Sequence, residues 1–179
     1  VYQYYLKKVT LYFHGKRLVL KNPANTGRIK LLLTMFPDAK FIHIYRNPYH
    51  VFLSMKRDID AEMSLYCVQK PEEEEVLEKA MVELYNRMFE KYFEEKKLIP
   101  EGHLVEVKYE DFITNPLREI KRIYQELGLP NFEESEDEFK QYILSQSKIR
   151  THRYSIDEEL KKKIYSYFKL TIDQWGYDV

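Results

Sequence analysis

Two short apolar runs of the sequence each end in a basic residue. Arg17–Lys21 reads RLVLK and Lys40–Arg46 reads KFIHIYR, and a loop and a predicted helix follow each run. Both runs are typical of β-strands. The carboxyl ends of neighbouring parallel strands lie at one edge of a sheet, where phosphorylated ligands commonly bind. We therefore predict that the side chains of Lys21 and Arg46 converge on one anionic ligand.

The residues that follow Arg46 predict a phosphate site more specifically. Asn47 is a favourable helix N-cap and Pro48 suits the first helical position, so a helix predicted over Pro48–Asp58 begins beside Arg46. The free N–H groups of a helix N-terminus attract anions, and a neighbouring arginine adds a fixed positive charge. Ser54 follows Arg46 by eight residues. Its hydroxyl is expected to reach the same anion from the side of the helix.

The run LVLKNPANTGR, continued by LLLTMFPDAKFIHIYRNPYHVFLSM, resembles sulfotransferases that use 3′-phosphoadenosine 5′-phosphosulfate (PAPS). The similarity is greatest to the branch that acts on carbohydrates, lipids or protein tyrosines. It implies that Arg46 and Ser54 bind the 3′-phosphate of the donor. It also implies that Lys21 is catalytic and stabilises charge on the sulfuryl group and its bridging oxygen. Pro23 stands where the cytosolic branch carries its general-base histidine. In several branches of the family the acid or base comes from the N-terminal part of the domain, so no base is assigned.

Two later segments carry the same resemblance. His103–Lys108 is predicted as a further strand and is followed by YED, which begins at Tyr109. The family's tyrosine at this place lies against the adenine of the donor, which implies that role for Tyr109. Lys148 and Arg150 lie in the most basic stretch of the chain. The resemblance implies that these two residues help to cover the 3′-phosphate, although their spacing differs from the Arg-Lys-Gly loop of the cytosolic branch.

The periodicity of apolar residues predicts the helices that must position these groups. Residues 59–69 have no clear pattern and are expected to form a connection. A last helix is expected after the capping box formed by Ser155 and Glu158. The other predicted helices are Val1–Phe13, Gly27–Phe36, Pro71–Lys97, Leu117–Leu127 and Glu133–Ser145. We therefore expect an α/β fold, a parallel sheet flanked by helices.

By resemblance this is the P-loop NTPase-like sulfotransferase fold, incomplete at its N-terminus. Residues 1–179 are expected to form a single partial domain, with the 3′-phosphate-binding core in residues 15–58. Residues 71–179 form its helical remainder, with one strand near residues 103–108. The family's P-loop, P-x-S-G-T-T or G-x-x-R-S-G-T, has no match in the chain. We therefore expect a missing N-terminal segment of the same protein to complete the donor site.

The composition excludes several other classes of protein. The chain has 29 basic and 29 acidic residues, and this zero net charge argues against a general nucleic-acid binder. Its one cysteine, Cys67, excludes an intrachain disulfide framework. No apolar run approaches the roughly 18 residues of a membrane span. The resemblance implies PAPS as the donor, adenosine 3′,5′-bisphosphate as its product and no metal, in the cytoplasm of a bacterium or the Golgi lumen of a eukaryote.

Three functions are compatible with these patterns. The first is sulfuryl transfer from PAPS to a hydroxyl or amine acceptor. The second is a P-loop small-molecule kinase, but such enzymes need a Gly-Lys-Ser/Thr motif and a Mg²⁺-binding aspartate at a strand end. The predicted strand ends here carry Lys21, Arg46 and Lys108, which favour the first function. The third is a non-catalytic nucleotide-binding or interaction module, for which the 16 tyrosines would supply contact surface.

Overall fold

The computed structural model describes residues 1–66, 68–69, 73–146 and 155–178. Short 3₁₀ turns cover Pro23–Gly27 and Lys96–Leu98. None of the helices in the described ranges combines the length and apolar character that crossing a bilayer requires. The helices are α1 (Tyr2–Tyr12), α2 (Ile29–Met35), α3 (Pro48–Tyr66), α4 (Glu74–Glu95), α5 (Tyr109–Thr114), α6 (Pro116–Glu126), α7 (Phe132–Gln146) and α8 (Glu158–Trp175).

Two parallel strands form the sheet of the described structure. Strand β1 is Phe41–Tyr45 and strand β2 is Leu104–Lys108. In their register Tyr45 lies opposite Lys108, so both strands end at the same level. A parallel pair needs a long crossover, which α3 and α4 supply between the strands. The residues that directly follow the two strands therefore lie side by side.

The main core lies between α3, α4 and α8. Phe52 of α3, Tyr85 of α4 and Phe168 of α8 are all almost fully buried. The rings of Tyr85 and Phe168 stack with their centroids 3.7 Å apart. The Tyr85 hydroxyl donates a hydrogen bond of 3.1 Å to Oγ1 of Thr171, which satisfies a polar group that the core would otherwise leave unpaired. This packing holds α3, and with it the residue after β1, in place.

His43 lies on the face of the sheet that is covered by α4 and α8. Its ring stacks on Tyr92 with the centroids 4.0 Å apart, and only 9% of the residue is exposed. The alternation of His43 with Ile42 and Ile44 in the sequence predicts a hydrogen-bonded core histidine rather than a ligand, and the position in the core is confirmed. Its Nε2, however, has no hydrogen-bond partner within the described part of the chain. Burial lowers the pKa of His43 to about 4, although the nearby carboxylate of Glu106 opposes this shift.

The opposite face of the sheet is covered over β2 and exposed over β1. Val105 and Val107 are buried against α6, where they pack with Ile123 and Leu127. Ile42 and Ile44 pair with these valines, so their side chains point to the same face of the sheet. They are 44% and 52% exposed.

The strand predicted over Arg17–Lys21 is absent, and that prediction is wrong. Residues 16–22 have no regular secondary structure, and Val19 is 88% exposed. A strand is stable only when a neighbour accepts and donates its backbone hydrogen bonds. In the described structure β1 and β2 pair with each other and with no third strand. Lys21 is therefore not at a strand end, whereas Arg46 follows β1 directly, as predicted.

Several helix boundaries differ from the predicted ones. Helix α3 continues through Tyr66, into a region predicted as a connection, and α5 occupies the loop predicted after β2. The helix predicted over Gly27–Phe36 begins at Ile29, because Gly27 is the last residue of a 3₁₀ turn. The N-cap of α8 is Asp157, whose carboxylate accepts a hydrogen bond of 2.8 Å from the backbone N–H of Leu160. The predicted capping box at Ser155 is therefore wrong.

The buried His43 predicts that stability depends on pH. Its folded-state pKa lies below the unfolded value of 6.5, so protons bind preferentially to the unfolded chain. Stability should therefore fall as the pH decreases from about 6.5 to about 4, by up to about 3 kcal/mol from this group. His43→Phe keeps an aromatic ring in the stack but cannot bind a proton. Urea unfolding across this pH range should give a flatter profile for His43→Phe than for the wild type, and equal slopes would contradict the assignment.

Candidate functional site

The ends of the two strands bring Arg46 and Tyr109 into contact. The Arg46 guanidinium carbon lies 4.8 Å from the centroid of the Tyr109 ring, the geometry of a cation–π interaction. Both side chains are half-buried. Within the described part of the chain, the buried Nε of Arg46 has no hydrogen-bond partner. A buried donor without a partner is rare in proteins and is consistent with a site for an anion.

The N-terminus of α3 lies beside this pair, as predicted. Pro48 is the first residue of the helix, and Oδ1 of Asn47 accepts a hydrogen bond of 2.9 Å from the backbone N–H of Tyr49. The Asn-Pro start is therefore confirmed. The positive end of a helix dipole favours negative charge, so the helix start and the guanidinium of Arg46 both attract an anion.

The carboxylate of Glu110 fixes the turn that carries Arg46. Its Oε1 accepts a hydrogen bond of 3.0 Å from the backbone N–H of Asn47, and its Oε2 accepts one of 2.9 Å from the hydroxyl of Tyr177. Burial, followed by the hydrogen bond to Glu110, raises the pKa of the Tyr177 hydroxyl, which therefore stays protonated as the donor. Gly176 directs the chain to this position with a φ of +66° after α8 ends.

A cavity of about 370 Å³ opens next to the start of α3. Its lining includes Asn47, His50 and Tyr177, and its charged residues are one lysine and two acidic residues, Lys161, Glu158 and Asp178. Burial lowers the pKa of His50, and the charge of Arg46 lowers it further. Ser54 is half-buried one turn after His50, so the two side chains lie on the same face of α3. His50 was not singled out from the sequence, although its spacing of four residues from both Arg46 and Ser54 was a usable signal.

The other predicted site residues lie apart from this pair or outside the description. Lys21 is exposed, and within the described residues its ammonium group has no hydrogen bond or ion pair. The next residue, Asn22, caps the 3₁₀ turn by accepting a hydrogen bond of 3.0 Å from the backbone N–H of Ala24. Lys148 and Arg150 lie outside the described residues. The structure therefore brings together Arg46 and Tyr109 out of the predicted set and places Ser54 on the helix that begins beside them.

Comparison with known proteins identifies the family. A sequence model described as "Sulfotransferase family" matches residues 1–134. The chain belongs to this sulfotransferase family. The matched region includes both strands and the residues Arg46, Ser54 and Tyr109. The family predicted from the sequence is thereby confirmed.

Two curated relatives are omega-hydroxy-beta-dihydromenaquinone-9 sulfotransferases named Stf3, from Mycobacterium bovis and Mycobacterium tuberculosis. This sulfotransferase chain is 34% identical to each over 169 residues. The aligned region is 94% of this chain and 43% of each relative. The chain thus spans less than half the length of these relatives.

A solved structure supports the predicted fold. The sulfotransferase STF9 from Mycobacterium avium superposes with a TM-score of 0.76 and 17% sequence identity. The superposition covers 92% of this chain and 43% of the STF9 chain. Together with the parallel sheet and its flanking helices, this likeness confirms the predicted α/β sulfotransferase fold.

The two hydrogen bonds of Glu110 predict a measurable loss of stability in Glu110→Gln. A glutamine can present only one oxygen, so one of the two donors faces an NH₂ group. We expect a loss of about 1–3 kcal/mol in the free energy of unfolding, since both bonds involve a charged acceptor. Urea denaturation should show the loss in Glu110→Gln but not in Glu101→Gln, an exposed glutamate in a turn. In a double variant, the losses in the free energy of unfolding from Glu110→Gln and Tyr177→Phe should not simply add. Full additivity would contradict the direct hydrogen bond between these two side chains.

Proposed function

We propose that this sulfotransferase transfers a sulfuryl group from PAPS to a hydroxyl or amine acceptor. The observation that carries the proposal is the contact of Arg46 with Tyr109 at the paired strand ends, with the Arg46 Nε unpartnered among the described residues. A cation, a helix N-terminus and an aromatic ring are the groups that a phosphorylated nucleoside needs. The family resemblance assigns the 3′-phosphate of the donor to Arg46 and its adenine to Tyr109. The contact therefore joins two residues that are expected to bind different parts of one ligand.

In this proposal Arg46 and Ser54 bind the 3′-phosphate of the donor. The Nε–H of Arg46 donates to a phosphate oxygen in a charge-assisted hydrogen bond, and the N-terminus of α3 adds its dipole. The Ser54 hydroxyl donates from the same helix. Lys148 and Arg150, which lie outside the described residues, supply further positive charge. Tyr109 supports the adenine, the role that the family resemblance implies, and its ring also contacts the Arg46 guanidinium.

Lys21 is the proposed catalytic residue. When bound, PAPS supplies an activated sulfuryl group whose bond to the bridging oxygen breaks as the acceptor oxygen or nitrogen attacks. Negative charge then increases on the leaving oxygen, and a cation placed there stabilises the transition state more than the ground state. The exposed ammonium group of Lys21 is free to take this role within the described part of the chain. The 3₁₀ turn after it, capped by Asn22, fixes the backbone next to the lysine.

The remaining parts of the site are proposed to come from the rest of the same protein. The chain spans 43% of the length of its relatives, which supports a single partial domain that an N-terminal segment with the P-loop completes. Positioning and electrostatics would then supply the catalysis, as they do in phosphoryl transfer, but with side-chain charges in place of the metal ions that phosphoryl-transfer enzymes use. The relatives are named for an omega-hydroxylated dihydromenaquinone, which supports the hydroxyl class of acceptor here.

Arg46→Ala is predicted to weaken binding of adenosine 3′,5′-bisphosphate to the full-length protein by about tenfold to a hundredfold, the value of one or two charge-assisted hydrogen bonds. Isothermal titration calorimetry measures the affinity. Arg46→Lys should retain part of it, because the charge remains and the planar guanidinium is lost. The matched control is Arg87→Ala, an exposed arginine of α4 paired with Glu83. Equal affinities in Arg46→Ala and Arg87→Ala would refute the phosphate role of Arg46.

Lys21→Ala is predicted to lower kcat by about a hundredfold while the affinity for adenosine 3′,5′-bisphosphate stays unchanged, because the charge acts mainly in the transition state. Transfer of radiolabelled sulfate from PAPS to an acceptor pool measures the rate, and Lys97→Ala is the control from an exposed site. Removal of magnesium with a chelator should leave the rate unchanged. A strict requirement for magnesium would favour the kinase alternative. Full activity in Lys21→Ala would remove the lysine from the mechanism.

A further inference from the structure

His50 of α3 lies between two residues of the proposed donor site. It follows Arg46 by four residues and precedes Ser54 by four, so His50 and Ser54 lie on one face of the helix, one turn apart. The side chains of an α-helix lean toward its N-terminus, which directs the imidazole of His50 toward the helix start and the turn that carries Arg46. Like Arg46 and Ser54, His50 is half-buried.

The packing of α3 fixes which of its faces points toward the site. Tyr49 and Phe52 belong to the main core and are only 4% and 1% exposed. His50 instead lines the cavity of about 370 Å³, beside Asn47. The backbone N–H of Asn47 is held by the carboxylate of Glu110. The position of the imidazole is therefore set by a helix that is anchored both along its core face and at its start.

The charge of Arg46 is the main electrostatic influence on His50. Burial lowers the pKa of the imidazole, Arg46 lowers it further, and Glu110 opposes the shift. Both oxygens of Glu110 already accept hydrogen bonds from other groups. The imidazole is therefore neutral near pH 7 when no anion is bound. The other charged residues that line its cavity are Glu158 and Lys161 of α8, and Asp178.

We propose that His50 is a further ligand of the 3′-phosphate and that it takes up one proton when the nucleotide binds. The inference rests on the proposed function, which places this phosphate against Arg46 and Ser54. A phosphate dianion there offsets the positive charge of Arg46 and favours a second cation beside it. The imidazolium then donates a charge-assisted hydrogen bond to a phosphate oxygen. The proton comes from the solvent and returns to it when the nucleotide leaves.

A histidine at this position gives the site a property that a lysine or arginine would not. A permanent cation would lie against Arg46 in the unliganded protein, whereas a histidine becomes charged only when the anion is present. A ligand without a 3′-phosphate gains nothing from this proton. We therefore expect His50 to make recognition of the 3′-phosphate both selective and dependent on pH.

Isothermal titration calorimetry of the full-length protein with adenosine 3′,5′-bisphosphate tests the inference. The affinity should increase by about threefold to tenfold as the pH decreases from about 8 to about 6.5, because the bound state holds one more proton. At pH 7 the heat of binding should differ between two buffers of different ionisation enthalpy, neither of them phosphate. This measurement needs no variant, and a heat that is the same in both buffers would overturn the inference.

Matched variants assign the proton to His50. His50→Gln keeps a hydrogen-bond donor that cannot titrate, so it should bind like the wild type near pH 8 and show no gain in affinity at lower pH. His50→Asn is a second variant of the same kind, and thermal unfolding checks that both are folded. The control is His103→Gln, because His103 directly precedes β2 at the end of the strand away from the site. A gain in affinity that persists in His50→Gln would overturn the inference.

A second ligand and a second variant separate the possible failures. Adenosine 5′-monophosphate lacks the 3′-phosphate, so its affinity should be the same for the wild type and His50→Gln at each pH. A difference between them would place the proton at another part of the ligand and overturn the inference. If Arg46→Ala binds adenosine 3′,5′-bisphosphate like the wild type, the proposed donor site itself fails. If Arg46→Ala binds weakly but wild type and His50→Gln have the same pH profile, only the role of His50 fails.

Discussion

The carboxylate of Glu110 joins three parts of the chain that are distant in sequence. One oxygen holds the backbone N–H of Asn47, at the start of α3, and the other holds the hydroxyl of Tyr177, after the end of α8. Glu110 itself directly follows Tyr109, at the end of β2. Arg46 lies next to Asn47, which Glu110 holds, and Tyr109 lies next to Glu110 itself. The contact between Arg46 and Tyr109 therefore depends on this arrangement. A single side chain thus keeps the two strand ends and the helix start in a fixed relation.

The parts of the site that depend on local chemistry were predictable from the sequence. Asn47 and Pro48 form a helix start through their own side chains, and Arg46 follows a short run that becomes β1. The family pattern added Tyr109, which packs on Arg46. In each of these cases the relevant signal lies within a few residues along the chain. Glu110 differs, because the sequence predicts that it holds its own loop, whereas its hydrogen bonds reach Asn47 and Tyr177, which are 63 and 67 residues away.

The parts that depend on distant partners were not predictable in the same way. The run at Arg17–Lys21 has the composition of a strand, but pairing requires a neighbour that sequence composition does not reveal, and the described structure provides none. The hydrogen bond between Glu110 and Tyr177 spans 67 residues and has no local signature. The stacking of His43 on Tyr92 likewise depends on how α4 crosses the sheet. The alternation of side chains along β1 predicts that His43 is buried. It does not predict that Nε2 lacks a hydrogen-bond partner among the described residues.

The uncovered face of β1 affects how this polypeptide behaves in solution. Ile42 and Ile44 stand open on one side of the sheet, and in the described structure β1 has a hydrogen-bonded neighbour along one edge only. An apolar strand with a free row of backbone donors and acceptors is a template for adding strands from other molecules. Such an edge favours edge-to-edge aggregation of the polypeptide. Its behaviour in solution therefore depends on whether this edge is covered or open.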